Sequence, residues 1–477
     1  MKHIWPVCIA LAILVGLFGS ALASAKDRPR VIVLTDYFKD PDDKQSMVRF
    51  LSAANEFDVE GLIATSLAYG DGAVHPEWIH EIIDAYGKAL PNLRLHERDG
   101  YGYPSAESLH AVVKAGAPVI RTYVGRNKGF PVPYPPGARD ARQCAPAEEW
   151  IGDNRDTSAS QHIIEVVDRD DPRPVWVVVW GGAMDLAQAL WTVRHDRTAE
   201  ETERFVRKLR VYQISWQDTG VVWLWENFPQ LRLIQSETAF RGIYAEGPSA
   251  MRDEAWGNAN VRNDHGPLGA AYPRANVRGI KEGDTPSFLG LIGNGLSDPE
   301  HPEWGGWGGR FRRLDPARST FVDALDSHPD STDRMRRAQW TVGRWNVATS
   351  NDLAARMDWC VRRYDEANHH PIAVVDGDAT KRVLHRDVRA GEVVLLDAAG
   401  TRDPDGDSLT FQWWHHAEAG SCDGMIRLAS PDTRSTQLAV PTVDRPCEIH
   451  IILEATDDGV PPLTSYRRIV FTVRPPK

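Results

Sequence analysis

Acidic side chains crowd one short stretch near the amino terminus. Residues 35–43, TDYFKDPDD, carry four carboxylates: Asp36, Asp40, Asp42 and Asp43. Carboxylates this close repel one another unless a positive charge lies among them. A hard divalent cation with oxygen ligands, such as Ca²⁺, would supply that charge. Because such an ion can hold and acidify a water molecule beside a carboxylate base, the stretch predicts metal-assisted hydrolysis.

Separate roles are expected for these four acids. We predict that Asp36 is a metal ligand and the general base, and that Asp43 is a second metal ligand. Asp42 is a catalytic candidate that would contact the water or a sugar hydroxyl, and Asp40 is expected just outside the ligand shell. Pro41 suits the first turn of a helix, where the helix dipole favours negative charge. Helix capping is therefore an open alternative for Asp40 and Asp42.

The surrounding sequence predicts the elements that hold this stretch. The apolar run RVIVLT predicts a buried strand that ends just before Asp36. Strand-like and helix-like runs then alternate to about residue 290, which indicates an α/β domain with a mainly parallel sheet and helices on both faces. In such a sheet, ligands bind outside the carboxyl ends of the strands. Further strands are expected at 57–65, 174–182 and 209–215, and helices at 75–90, 159–169 and 183–194.

The chain changes character after about residue 370. Short apolar runs bounded by Gly, Pro and Asp predict an all-β, immunoglobulin-like sandwich. We therefore expect an α/β domain at 28–365 and a β-sandwich at 380–477. Within the sandwich, DPDGD at 403–407 has the spaced acids and glycine of a calcium loop, and a polar hairpin turn is the alternative.

Residues 1–23 have the features of a secretory signal peptide, with Lys2, an apolar run and an Ala-x-Ala cleavage signal. They predict a secreted or periplasmic protein without a membrane span after cleavage. The net charge of −11 argues against nucleic-acid binding. In an oxidising compartment Cys422 and Cys447, which lie in the same C-terminal region, are the preferred disulfide pair. The oligomeric state stays open.

An ordered series of motifs resembles a known family. Nucleoside hydrolases begin with a strand, D-x-D-x-x-x-D-D and a helix, and residues 30–52 are similar. The segments FDVEGLIATSLAYGDG and PVWVVVWGGAMDLAQAL resemble the family's second strand and its strand–glycine loop–helix. A closer resemblance is to the secreted bacterial nucleoside-hydrolase-like group, sometimes labelled cellulose-binding, which carries a C-terminal cadherin/Ig-like sandwich. That resemblance rests on T-D-x-x-x-D-P-D-D, HGPLGAAYP, EGDTPSF, EWGGWGGRF and DPDGDSLTFQWW.

The resemblance implies calcium bound by aspartates, one of which activates the attacking water. The segment PVWVVVWGGAMDLAQAL resembles one whose loop carbonyl completes the metal site in that family. The chain differs from true nucleoside hydrolases because Leu34 replaces the first aspartate and the gap from Asp36 to the acidic pair is two residues longer. Tyr69 and Gly70 stand where the family has a loop asparagine. These differences leave the substrate open.

The remaining site candidates lie later in the chain. Asp284 is expected to close the metal site, and Asp264 is its rival. Trp304 and Trp307 lie beside glycines that would let a ring stack on a sugar face, with core packing as the alternative. The chain has 17 tryptophans in all, which favours a carbohydrate ligand. The other predicted substrate-binding residues are Gln217, Asp218, His265 and Glu282, of which the last two are also candidate acids.

These observations predict a metal-dependent hydrolase of glycosidic bonds. An N-ribosyl bond is possible by resemblance, and an O-glycoside or oligosaccharide suits the compartment better. Attack by a metal-held water would invert the anomeric centre. The main alternative is a non-catalytic carbohydrate-binding protein that uses the same cleft. A haloacid-dehalogenase-type phosphohydrolase is disfavoured, because Leu34-Thr35-Asp36 does not supply the D-x-D that it requires.

Overall fold

The strand β1 (Arg30–Thr35) is buried along its whole length and lies inside an eight-stranded sheet. The computed structural model describes residues 28–37, 41–66, 72–98, 101–118, 147–275, 279–424 and 426–476. The predicted signal peptide, Asp40, Tyr69 and Gly70 lie outside these ranges. None of the helices in the described ranges combines the length and the apolar character that crossing a membrane requires.

The strands and helices follow the predicted alternation and then become all β. The other strands are β2 (Asp58–Ala64), β3 (Val113–Ala115), β4 (Val175–Val179), β5 (Leu209–Ile214), β6 (Arg232–Ser236), β7 (Phe311–Arg313), β8 (Thr320–Asp323), β9 (Leu384–Arg389), β10 (Val393–Asp397), β11 (Leu409–His415), β12 (Leu428–Ala429), β13 (Ser435–Ala439), β14 (Cys447–Asp457) and β15 (Thr464–Arg474). The α-helices are α1 (Pro41–Ser52), α2 (Pro76–Leu93), α3 (Ala106–Ala111), α4 (Ser158–Asp168), α5 (Met184–Asp196), α6 (Ala199–Arg207), α7 (Thr219–Asn227), α8 (Gly242–Ala245), α9 (Glu254–Gly257), α10 (Gly266–Ala271), α11 (Pro286–Leu289), α12 (Arg334–Gly343) and α13 (Asn346–Trp359).

The sheet has the order β3-β2-β1-β4-β5-β6-β8-β7, and only β7 pairs antiparallel. Alternate residues of β1 point to opposite faces, so Val31 and Val33 pack under α1 and α2, while Ile32 and Leu34 pack under α4 and α5. The predicted mainly parallel sheet with helices on both faces is therefore confirmed. Because the chain runs outward from β1 in one direction and from β4 in the other, a crevice forms between their carboxyl ends.

Two sheets share one apolar core in the C-terminal part of the chain. The strands β10, β13 and β12 form one sheet, and β11, β14, β15 and β9 form the other. Leu438 of the first sheet and Ile451 and Phe471 of the second belong to the same buried cluster. The predicted all-β sandwich is confirmed, as is the Cys422–Cys447 disulfide. The predicted limits, 28–365 and 380–477, stay a prediction.

Removal of this disulfide is expected to destabilise the sandwich. The bond closes a loop between residues separated by 25 positions, which restricts the unfolded chain. The double variant Cys422→Ala/Cys447→Ala should lose about 3 kcal/mol of unfolding free energy. Urea unfolding of the double variant, compared with the oxidised wild type, measures this loss, and the reduced wild type should behave like the double variant. Equal stability of the oxidised wild type and the double variant would contradict it.

The sandwich packs tightly against the α/β domain. The backbone N–H groups of Tyr466 and Arg468 in β15 donate to the carbonyls of Asn294 (3.1 Å) and Gly295 (2.9 Å). A Cβ on Gly295 would lie 1.9 Å from the carbonyl oxygen of Tyr466, so only glycine permits this approach. The side chain of Arg468 is fully buried and donates to the carbonyls of Leu296 and Gly305.

Candidate metal centre at the carboxyl edge of the sheet

The first turn of α1 lies beside the end of β1. Pro41 begins this helix, and Asp42 and Asp43 occupy its first turn, as the sequence predicts. The hydroxyl of Thr35 donates to Oδ1 of Asp43 over 2.5 Å, and Asp43 is buried. This hydrogen bond joins the last residue of the strand to the helix and fixes one oxygen of the carboxylate.

Asp284 completes a group of three carboxylates. One oxygen each from Asp42, Asp43 and Asp284 lie within 4.8 Å of one another. Asp284 precedes α11, and its carbonyl accepts hydrogen bonds from the backbone N–H (3.0 Å) and hydroxyl (2.6 Å) of Ser287. The indole of Trp180, at the end of β4, donates to the same hydroxyl over 2.9 Å. The structure thus joins Asp284, rather than its rival Asp264, to the acidic pair.

Asp36 directly follows β1 and lies against the loop after β4. A Cβ on Gly181 would lie 1.9 Å from Oδ1 of Asp36, so this glycine makes room for the carboxylate. Asp36 does not belong to the three-carboxylate group, whose members are Asp42, Asp43 and Asp284. Among the described residues, the carboxylates that lie together therefore include Asp42 in place of Asp36, which the sequence predicts as a ligand beside Asp43 and Asp284.

Substitution of Gly181 should perturb this site without removing any acid. In the variant Gly181→Ala the new methyl group would collide with Asp36 and push its carboxylate out of place. We expect a loss of about tenfold in affinity for a divalent cation, in line with other changes that misorient a group near a metal. Calorimetric titration with Ca²⁺ measures the affinity. Gly293→Ala is the control, because a Cβ at Gly293 would meet only the side chain of Lys381, at 3.8 Å. Equal affinities in the two variants would contradict the prediction.

The charges and donors around the three carboxylates fit a hard cation. All three side chains offer oxygen, the donor that Ca²⁺ and Mg²⁺ prefer. One basic group, Nζ of Lys281, approaches Oδ2 of Asp42 at 3.5 Å. Burial and the nearby charge of Asp43 raise the pKa of Tyr37, which follows Asp36. The negative charge is thus concentrated where the crevice opens.

Two residues predicted to bind sugar, Asp218 and Gln217, instead hold the loop after β4. Oδ1 of Asp218 caps α7 by accepting from the N–H of Val221 (3.1 Å), and its Oδ2 accepts from the N–H of Ala183 (2.6 Å). Burial raises the pKa of Asp218. The amide of Gln217 donates to the carbonyls of Trp180 and Ile214. Both residues therefore shape the loop that flanks Asp36.

Glu282 lies beneath the site rather than in it. Its fully buried carboxylate pairs with Arg49 over 2.6 Å and accepts from the hydroxyl of Tyr272 over 2.7 Å. The backbone of Glu282 has a positive φ of 28°, a conformation that is costly for a side chain with a Cβ. Gln45 holds it there by accepting from the N–H of Glu282 over 3.1 Å. These contacts hold the backbone at Glu282 in place and thereby position Asp284, which lies two residues later in the chain.

His265 and the two predicted stacking tryptophans also have structural partners. His265 is buried and lies 3.2 Å from Asp358. Trp307 is 1% exposed and its indole approaches the hydroxyl of Tyr466 at 3.4 Å. Trp304 is 6% exposed and stacks on His301 with ring centres 3.9 Å apart. Sugar stacking needs an open ring face, which neither tryptophan presents here, because both pack where the sandwich meets the α/β domain.

Sequence reasoning missed one buried acid near the crevice. Asp185, in the first turn of α5, accepts from the hydroxyl of Thr157 (2.6 Å) and the N–H of Ala117 (3.2 Å). Burial raises its pKa to about 6. It lines a small cavity with Thr65, whose hydroxyl donates to the carbonyl of Gly181 over 2.7 Å. The sequence does offer one indication, because Asp185 lies within the segment PVWVVVWGGAMDLAQAL that resembles the family's strand–glycine loop–helix.

Comparisons with known proteins agree with this architecture. The family model described as "Cellulose-binding Sde182, nucleoside hydrolase-like domain" matches residues 30–311. The chain belongs to this Sde182 family. The model of the Sde0182 C-terminal domain matches residues 393–473.

A solved structure supports the assignment to the Sde182 family. It is a nucleoside hydrolase-related hypothetical protein from Saccharophagus degradans, described as associated with carbohydrate metabolism. The identity is 35%, the match covers 94% of this chain and all of that one, and the TM-score is 0.77. The type III effector XopQ, solved with adenosine diphosphate ribose, is 14% identical over 70% of this chain and 96% of its own, with a TM-score of 0.37. No curated protein matched the chain.

Proposed function

We propose that this Sde182-family protein hydrolyses glycosidic bonds in carbohydrates with the aid of a bound divalent cation, Ca²⁺ in the first instance. The observation that carries the proposal is the convergence of Asp42, Asp43 and Asp284 within 4.8 Å, beside Asp36, at the crevice between β1 and β4. A purely structural role does not require three carboxylates to face one another at this edge.

The acidic residues would divide the work. Asp42, Asp43 and Asp284 would hold the cation through carboxylate oxygens. When bound, a divalent cation lowers the pKa of a coordinated water and polarises it. Asp36, held against Gly181, would accept the proton of the attacking water. The Thr35 hydroxyl keeps the carboxylate of Asp43 oriented by donating to its Oδ1.

The family and the sequence support a carbohydrate as the substrate. The matching family model is described as cellulose-binding, and the Saccharophagus relative as associated with carbohydrate metabolism. The predicted signal peptide would place the protein where plant or microbial glycans are available. We therefore propose an oligosaccharide as the substrate, in preference to a nucleoside.

A second candidate function is carbohydrate binding without turnover. The description of the family as cellulose-binding favours it directly. In that case the acidic crevice would hold a cation that orders the binding surface, and no carboxylate would act as a base.

One experiment separates the two functions. Mature protein is incubated with cello-oligosaccharides, other plant oligosaccharides and nucleosides, in Ca²⁺ or in EDTA, and the products are separated by chromatography. Release of sugar in Ca²⁺ that EDTA abolishes supports the hydrolase. Retention on cellulose without any product, unchanged in Asp36→Asn, supports the binding protein and overturns the hydrolase.

A further inference from the structure

We propose that a row of hydrogen-bonded groups, the proton chain, holds one shared proton between the two domains and makes their junction sensitive to pH. The proton chain runs from Asp405 in the sandwich through His369 and His96 to the backbone carbonyl of Arg362. None of these residues belongs to the three-carboxylate group of the α/β domain, and the shared proton would not require the proposed hydrolase activity.

The members of the proton chain come from both domains. Asp405 lies in the turn before β11, His369 lies between α13 and β9, and His96 follows α2. Nδ1 of His369 lies 3.0 Å from each carboxylate oxygen of Asp405, and its Nε2 lies 2.8 Å from Nδ1 of His96. Nε2 of His96 lies 3.0 Å from the carbonyl oxygen of Arg362. Three links therefore connect the four groups across the junction of the two domains.

The turn that supplies Asp405 is a polar turn, which the sequence left open as the alternative to a calcium loop. Oδ1 of Asp403 accepts from the backbone N–H groups of Asp405 (2.8 Å), Gly406 (3.0 Å) and Asp407 (3.2 Å). Among the described residues, no member of this turn joins a group of three ligands that could hold a metal ion. Asp405 instead pairs with His369, whose backbone N–H also donates to Oδ2 of Asp405 over 2.8 Å.

Each link of the proton chain needs one proton between its two atoms. A carbonyl and an ionised carboxylate only accept hydrogen bonds, and a neutral imidazole carries a single N–H. If Asp405 is ionised and both histidines are neutral, two protons are present for three links. One link would then bring two lone pairs together at hydrogen-bond distance. A third proton satisfies every link, because Asp405 then donates to His369, His369 donates to His96, and that ring donates to the carbonyl.

Burial makes an unsatisfied link costly and draws the third proton toward Asp405. His369 and His96 are only 1% and 3% exposed, so water has little access to their ring nitrogens. Burial lowers the pKa of His369 to about 3, lowers that of His96 and raises that of Asp405. All of these shifts favour the uncharged form of the group concerned. The arrangement with neutral imidazoles and the proton on Asp405 is therefore favoured.

Other titratable groups face the proton chain from both domains. They are Arg98, Tyr364, His370, Asp403 and Asp407. After burial, the charge of Arg98 is the largest influence that lowers the pKa of His369, and Asp403 raises it. The guanidinium of Arg98 donates to the hydroxyl of Tyr364 over 2.9 Å, and the ring of Tyr364 stacks on His369 with centres 3.9 Å apart. His370 pairs with Asp352 over 3.0 Å. These groups influence the pH at which the proton chain titrates, while its links determine how many protons it holds.

The junction should be most stable near neutral pH. In the unfolded protein an aspartate loses its proton near about pH 4 and a histidine near about pH 6.5. Below about pH 6.5 the unfolded histidines gain protons that the buried rings do not accept, so stability falls as the pH falls. Above that value the unfolded protein holds one proton fewer than the proton chain. Stability then falls as the pH rises, until the folded protein has lost the shared proton.

The variant Asp405→Asn tests the number of protons. Its amide N–H would donate to His369 as the protonated acid does, and its amide oxygen would still accept from the backbone N–H of His369. The variant therefore keeps every link but cannot titrate. Urea unfolding of the full mature protein between about pH 7 and about pH 9 should show the wild type losing stability relative to the variant, by up to about tenfold in the unfolding equilibrium constant per pH unit. A less stable Asp405→Asn at every pH in that range would indicate an ordinary ion pair and overturn the proposal.

A matched surface pair and one spectroscopic measurement complete the test. Asp196→Asn makes the same change beside His195, where both side chains are more than half exposed, and should follow the pH dependence of the wild type. ¹⁵N NMR of the wild-type histidine rings near neutral pH should show a proton on Nε2 of both His96 and His369, which covers the case in which Asp405→Asn does not fold. Equal pH dependence of the wild type and Asp405→Asn, or an Nε2 without a proton on either histidine, overturns the proposal.

Discussion

The variant Asp36→Asn is expected to lower the rate of sugar release by about a thousandfold. An amide of the same shape keeps its place beside Gly181 but cannot accept a proton, and loss of a general base costs between about 10² and 10⁴ in rate. Because Asp36 lies outside the three-carboxylate group, Ca²⁺ affinity should fall much less than the rate does. Initial rates at saturating oligosaccharide, together with calorimetric Ca²⁺ titration, measure the two effects.

Two comparisons sharpen this prediction. Asp43→Asn should reduce both the rate and the Ca²⁺ affinity, because the carboxylate it removes belongs to the group that would hold the ion. Asp196→Asn, whose carboxylate is 62% exposed at the end of α5, should leave both unchanged. A full rate in Asp36→Asn would rule out this residue as the base. An equal loss of rate and affinity would place it among the metal ligands, as the sequence predicted.

The variant Glu282→Gln is expected to cost about 3 kcal/mol or more in unfolding free energy. The substitution keeps the volume of the side chain but leaves the guanidinium of Arg49 buried without its counter-charge. Breaking one partner of a buried ion pair is far more costly than breaking a surface pair. The midpoint of urea unfolding, followed by tryptophan fluorescence, measures the loss.

A surface pair provides the matched control. Glu200 pairs with Arg204 across one turn of α6, with side chains that are 83% and 59% exposed. Glu200→Gln should therefore cost no more than about 0.5 kcal/mol. Similar midpoints for Glu200→Gln and Glu282→Gln would show that the buried pair contributes little. Since Glu282 supports the segment of Asp284, its variant should also bind Ca²⁺ more weakly.

The sequence predicted the parts of the site that depend on local structure. Asp36 could be placed at a strand end, and Asp42 and Asp43 in a first helical turn, because apolar periodicity and Pro41 define those elements. Asp284 does not follow a strand. It could be proposed as the closing acid only because the segment EGDTPSF resembles the related family. The roles assigned to these residues stay predictions until rates and affinities are measured.

The sequence does not show in which direction the side chains of Glu282 and Asp284 point. Glu282 and Asp284 are two residues apart, yet the first points to Arg49 below the crevice and the second joins the acidic pair. That difference depends on the positive φ of Glu282 and on Gln45, which lies more than 200 residues earlier. For Trp304 and Trp307 the sequence leaves sugar stacking and core packing both open, because it does not reveal which surface the sandwich covers.

The backbone pairing of Tyr466 and Arg468 with Asn294 and Gly295 bears on how such proteins can be recombined. Domains joined by a flexible linker can be exchanged independently. Here the last strand of the sandwich donates hydrogen bonds to the α/β domain, and Arg468 is buried where the two domains meet. Removal of the sandwich would take away Arg468 and leave the carbonyls of Leu296 and Gly305 without the hydrogen bonds that it donates. The two halves should therefore be inherited, expressed and engineered together.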